Sequence, residues 1–353
     1  MNNKKNLVSL VFFPVIKLTL ATLTFIMILP LSKGHAQNGL PYWRVEFPKT
    51  NFMKREIDVI EIKDTPARRD SIPPIWNPTF IPAIKLKSLG TLEPVISLRI
   101  AGYARAYPLR ILLWHEILND QVGDTALLIT YCPLNNSSIV FNREFHHSRQ
   151  EINTLFGNTG RLRNFDTVMY DLKTETWWQR YTGKAIIGEL AGTRLNSVPS
   201  RLESFKQFLD RNPDGKVLIP NEPNTRNYGS TPYIRMDTSP GVGLEIFELP
   251  VSVQPYDRVV AVGRNAWTLK MLETRRVIST EDLVIRWHPG QNSIHDTKRI
   301  SFGRDVGNVT VQRYNSALKT WNDTVYQIPF AFAFKAFNPD GALYYDIPSR
   351  NRE

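Results

Sequence analysis

The chain has 353 residues, 42% hydrophobic and 22% charged, a balance that excludes a disordered or fibrous polymer and allows one large domain or two smaller ones. Its net charge is +11, yet lysine and arginine are spread without a dense run, which argues for a solvated surface or an anionic envelope and against nucleic-acid recognition. One cysteine, Cys132, excludes an internal disulfide framework, so stability has to come from the core.

The N-terminus has the pattern of an export leader. Lys4 and Lys5 precede an apolar stretch from Leu18 to Leu31, and Gly34-His35-Ala36 offers small residues for cleavage after Ala36. The apolar stretch falls short of the roughly 20 residues of a membrane span. We therefore expect residues 1–36 to be a signal peptide and the mature protein to be periplasmic or extracellular. Membrane contact would come only through an uncleaved leader. Removing its four lysines leaves a charge of +7.

Residues 37–92 read as an extended, proline-rich arm. Ile57 to Ile62 alternates as a strand would, and five prolines between Pro66 and Pro82 forbid a long helix or a central strand. From Glu93 the pattern is regular. Pro94 to Ile100 and Tyr103 to Tyr107 flank an Ala101-Gly102 turn and predict a hairpin. Pro108 suits the first turn of a helix over Leu109 to Asn119, apolar on most of its faces. Ala126 to Tyr131 and Ile139 to Phe141 predict a second hairpin, with Cys132 delivered to its loop and Asn135-Asn136 free to turn. Further short strands follow to Ile187, then a helix over Leu202 to Arg211 stopped by Asn212-Pro213-Asp214-Gly215, and a strand at Lys216 to Ile219.

A repeat is visible beyond this point. Tyr314 to Trp321 (YNSALKTW) matches Tyr170 to Trp177 (YDLKTETW), and Asn338-Pro339-Asp340-Gly341 matches the earlier helix stop. Arg258 to Val262 matches Pro94 to Leu98. The expected fold is α+β and β-rich, with two related units of short, mainly antiparallel strands at 93–219 and 256–346. A linker at 220–255 and a tail at 347–353 complete it. The second unit is expected to have lost or replaced the helix of His115 and the loop of Cys132.

Candidate chemistry gathers on the first unit. With Asn135 where a dithiol motif would need its second thiol, Cys132 can be a nucleophile, a metal ligand or a small buried hydrophobe. His115 has Ile111, Leu112 and Leu118 as helical neighbours, so its imidazole points inward and could serve Cys132 as a base, with Glu116 orienting it from outside. Cys132, His115 and Met169 form a ligand set that would suit copper or zinc. Arg161 and Arg163 in the glycine-bounded run Gly157 to Asn164 could hold an anion.

The runs SIPPIWNP, VISLRIAGYARAYPLRILLWHEILNDQVGDTALLITYCPLNNSSIVFNRE and VMYDLKTETWWQRYTGKAIIGELAGTRL resemble the bacterial family called domain of unknown function 3179. The resemblance is strong over about 71–220 and weaker to about 346, through GRDVG and FAFAFKAFNPDG. It implies an exported or envelope protein and carries no activity with it. The family pattern has a second cysteine where this chain has Asn135, and often an acid where it has Trp76, so any two-thiol centre is halved here. The preferred expectation is a binding or structural protein with a pocket at the Cys132 loop, its partner an unidentified small ligand or envelope component. The alternatives are a thiol-dependent enzyme using Cys132 with His115, or a metal site at the same residues.

Overall fold

The computed structural model describes residues 40–241 and 248–346, so the expected leader and tail lie outside the described residues. Strands outnumber helices by far, and five small, mostly antiparallel sheets are arranged like the blades of a propeller. One sheet orders Ser197–Val198, Ser137–Asn142, Thr125–Cys132 and Ile117–Val122 side by side. The next joins Lys184–Ile187, Trp177–Gln179, Asp166–Asp171 and Phe156–Arg163. A third holds the Pro94–Ile100/Tyr103–Pro108 hairpin between Lys216–Ile219 and Arg201–Ser204, with Thr79–Pro82 on its edge. The remaining two are built from residues 259–344. The largest apolar cluster runs from Leu98, Ile129 and Tyr131 to Leu272, Ile285 and Val311, so both halves share one core.

Among the described residues the five α-helices are each seven residues long: α1 Leu40–Glu46, α2 Leu109–His115, α3 Phe205–Arg211, α4 Leu269–Arg275 and α5 Ala331–Phe337. α2 is shorter than its apolar pattern predicts. Glu116 takes a left-handed turn at φ 60° while its N–H still bonds Leu112 O, and Ile117 to Asn119 then pair as a strand with Thr130 to Leu128. Both faces of this stretch are buried, so hydrophobicity alone could not separate helix from strand. Likewise Leu202 to Ser204, expected in a helix, is a strand, and Ser204 caps α3 by accepting the Gln207 N–H.

The two halves carry the same hydrogen-bond frame. Val95↔Pro108 and Leu98↔Arg105 in one hairpin correspond to Val259↔Thr268 and Val262↔Asn265 in the other. Phe205 N bonds Glu93 O at 2.9 Å, and Ala331 N bonds Asp257 O at 2.8 Å. Lys216–Ile219 lies parallel to its hairpin, as Ala342–Tyr344 does to its own. Glycine is required after both α3 and α5, because a Cβ at Gly215 would meet Phe208 Cζ at 2.6 Å and one at Gly341 would meet Phe334 Cζ at 2.7 Å. The helix of His115 is replaced and not lost: α4 stands where α2 does in the first half, with Arg275 and Arg276 in the places of His115 and Glu116. Arg276 repeats the left-handed turn at φ 64°.

Residues 43–63 pack against the second sheet. Trp43, Phe47 and Phe52 set their rings 5.1–5.5 Å from Trp177. The expected strand over Ile57 to Ile62 is instead a 3₁₀ turn, Val59–Glu61. Asp58 and Glu61 close a capping box there, and those local bonds outcompete a ladder. Trp177 is fully buried, whereas Trp321, its counterpart in the repeat, is 43% exposed. Trp177→Ala should therefore cost about 3–5 kcal/mol in urea unfolding, and Trp321→Ala less than about 1 kcal/mol. The reverse order would refute this assignment of the core.

Candidate functional site

Cys132 ends its strand inside the protein. Asn136 takes φ 59°, and Asn135 Oδ1 accepts the Ser137 N–H at 2.9 Å, which closes the tight loop. Three bonds from the second half clamp that loop: His295 Nε2–H to Pro133 O at 2.7 Å, Phe330 N–H to Asn135 O at 2.9 Å, and Asn136 Nδ2–H to Ile328 O at 2.7 Å.

A buried charge cluster surrounds the thiol. Arg180 Nη1 donates to Tyr131 O at 2.8 Å and Nη2 to Glu116 Oε2 at 2.9 Å, while Asp166 Oδ1 lies 3.8 Å from Nε. Asp166 also accepts from Asn135 Nδ2 at 3.0 Å, from Gln179 Nε2 at 2.6 Å and from the Tyr181 N–H at 2.9 Å. One cation thus faces two carboxylates. Burial opposes the Arg180 charge, but the carboxylates of Glu116 and Asp166 outweigh it, and its pKa is raised. Burial also drives the Cys132 thiol up to about 12; Asp166 and Glu116 add to that rise and Arg180 opposes it. The thiol is therefore neutral at physiological pH and enclosed, and its sulfur sits 3.9 Å from Phe165 O.

His115 is not part of this cluster. Its Nδ1 lies 2.7 Å from Pro73 O and its Nε2 lies 2.8 Å from Tyr228 OH. A carbonyl can only accept, so Nδ1 carries the proton and Nε2 accepts from the phenol. Burial lowers its pKa, the Pro73 carbonyl opposes that shift, and the Arg226 charge reinforces it. The imidazole forms part of an open cleft of about 460 Å³ that Pro73, Trp76, Glu222, Arg226 and Tyr228 also line. Arg226 Nη1 donates to Thr225 O at 3.4 Å, and among the described residues it has no carboxylate at ion-pair distance.

The expected constellation is thus divided. Glu116 does not orient His115 from outside: it is buried and ion-paired to Arg180. Met169 packs in the core with Ile117, Leu128 and Trp178. Among the described residues no group of three or more His, Cys, Asp or Glu is placed to hold a metal ion. Arg161 and Arg163 stand on a strand, not a loop, and hold carboxylates of the N-terminal segment: Glu46 and Asp64 for the first, Glu61 for the second. Sequence reasoning missed Arg180, Asp166, His295 and Tyr228. Tyr228 and Arg226 lie in the long stretch read as a linker, where length without a secondary-structure pattern was itself a signal of a binding loop.

Two results would check this chemistry. Cys132 should resist thiol reagents at pH 8 in the folded protein and react freely once urea unfolds it; rapid labelling of the native state would refute enclosure. Burial and the Arg258 charge depress His295 from its ordinary value of 6.5 to about 3. Its neutral form therefore contributes stability above pH 6.5 that is lost as pH falls toward 3. His295→Gln should flatten that limb of a urea-midpoint profile, and an unchanged acid limb would count against the clamp.

Comparison with known proteins places this geometry in context. No curated protein and no solved structure matches the chain. A family model described as protein of unknown function (DUF3179) matches residues 69–341, which includes both the thiol cluster and the cleft. The chain belongs to that family.

Proposed function

We propose that the protein binds a small organic anion in the cleft over His115, and that Cys132 is a structural residue. The observation that carries this reading is the Arg226 guanidinium on the wall of the cleft, with no carboxylate at ion-pair distance among the described residues. A carboxylate arriving there would meet the Arg226 guanidinium, while Trp76 and the prolines offer an apolar wall. Catalysis by Cys132 with His115 as its base has less support, because the sulfur is enclosed and both ring nitrogens of His115 are engaged. The leader pattern over residues 1–36 supports an exported protein.

Titration calorimetry with benzoate, succinate and inorganic phosphate tests the site. At least one should bind, Arg226→Gln should weaken it about tenfold or more, as loss of a charged hydrogen bond does, and Cys132→Ala should leave it unchanged. Failure of all three probes at millimolar concentration, or a loss that follows Cys132→Ala, would overturn the reading. For export, the N-terminus of the protein recovered from the cell envelope should begin after Ala36; a chain starting at Met1 in the cytoplasm would refute it.

A further inference from the structure

The repeated hairpin has the same backbone in both halves but a different cover. Tyr170 pairs across strands with Trp177, and Tyr314 pairs in the same register with Trp321. Asp171 Oδ1 accepts the Thr174 N–H, and Asn315 Oδ1 accepts the Leu318 N–H. Both loops then turn through a left-handed residue, Glu175 at φ 56° and Lys319 at φ 51°.

Over the first hairpin the face is closed. Phe47 sets its ring edge-on to Tyr170 at 5.2 Å and to Trp177 at 5.1 Å, with Trp43 and Phe52 beside it. Arg69 lies over the Tyr170 ring at 4.4 Å. Glu175 fastens this cover: it accepts Lys49 N–H at 2.9 Å and Arg69 Nη1 at 2.8 Å, and its own carbonyl accepts Thr50 Oγ1 at 2.7 Å. Over the second hairpin the same rings are open. Tyr314 is 39%, Trp321 43% and Leu318 67% exposed, with the two rings 5.4 Å apart. The residue that fastens the cover has changed sign, from Glu175 to Lys319.

The geometry points to the Tyr314–Trp321 face as a docking surface for an aromatic-bearing, acidic segment of another protein. The first hairpin shows what such a face takes: a short segment with two or three rings and a polar group at the left-handed turn. With Lys319 in that position, the polar group has to be a carboxylate where the first cover supplies donors. The net positive charge, +11 for the whole chain and still basic without the four lysines of residues 1–36, favours the same partner sign. A second copy of this chain fits less well, because its residues 43–52 already cover its own first hairpin.

Two synthetic peptides, residues 40–52 (LPYWRVEFPKTNF) and the Lys49→Glu version, test this by calorimetry against the purified protein. The acidic peptide should bind with a dissociation constant below about 1 mM and more tightly than the unmodified one. Trp321→Ala should weaken it about tenfold, as removal of an aromatic anchor does, with circular dichroism unchanged because the residue is exposed. Lys319→Glu should reverse the preference between the peptides. Absence of binding by either peptide, or binding indifferent to Trp321→Ala, would overturn the proposal. So would Trp321-dependent partition onto phosphatidylglycerol vesicles without peptide binding, which would make the face a membrane contact.

Discussion

Arg180 is the residue on which the thiol region depends. Its guanidinium joins the end of α2 through Glu116, the Cys132 strand through Tyr131 O, and the second sheet through proximity to Asp166. A buried cation of this kind is tolerable only because carboxylates and carbonyls replace its water. The same arrangement settles the state of the thiol. With two carboxylates already facing one cation, a thiolate would add a further negative charge without a partner, and the sulfur stays protonated. The only cysteine in the chain thus sits where burial and two carboxylates oppose its ionisation.

That cluster also explains how the halves are joined. The Cys132 loop is gripped from the second half by His295, Phe330 and Ile328. His295 can donate to Pro133 O while neutral because Arg258, held by Asp237 and Ser293, donates to its other nitrogen. The chain of contacts from Asp237 to Pro133 is polar throughout and buried, so each member needs the next. The histidine at α2 belongs to a different environment: it is half-buried and shares an open cleft with Arg226.

Much of the local structure was legible. The hairpin at Pro94 to Pro108, the strands around Cys132 and the helix stops at Asn-Pro-Asp-Gly all follow from alternation and turn chemistry, which act over a few residues. The helix expected to Asn119 failed because a stretch buried on both faces has no diagnostic period; the left-handed turn at Glu116 is set by strand pairing of Ile117 with Thr130. Arg161 and Arg163 looked like an anion loop because glycines bound them, yet their carboxylate partners lie in a segment a hundred residues away in the chain. Met169 was assigned to a ligand set on residue type alone, and its neighbours are apolar.

The sequence by itself determined the β-rich composition, the turns, the repeated Tyr–Trp hairpins and the isolation of the thiol, because these rest on backbone preferences and residue counts. Only the tertiary structure decided which side chains meet. It put Cys132 with Arg180 and Asp166, put His115 with Tyr228, and covered one Tyr–Trp hairpin with Trp43 and Phe47 while leaving the other open. The physical reason is that burial and charge pairing depend on partners far apart along the chain. No local pattern records which of two similar faces will find one.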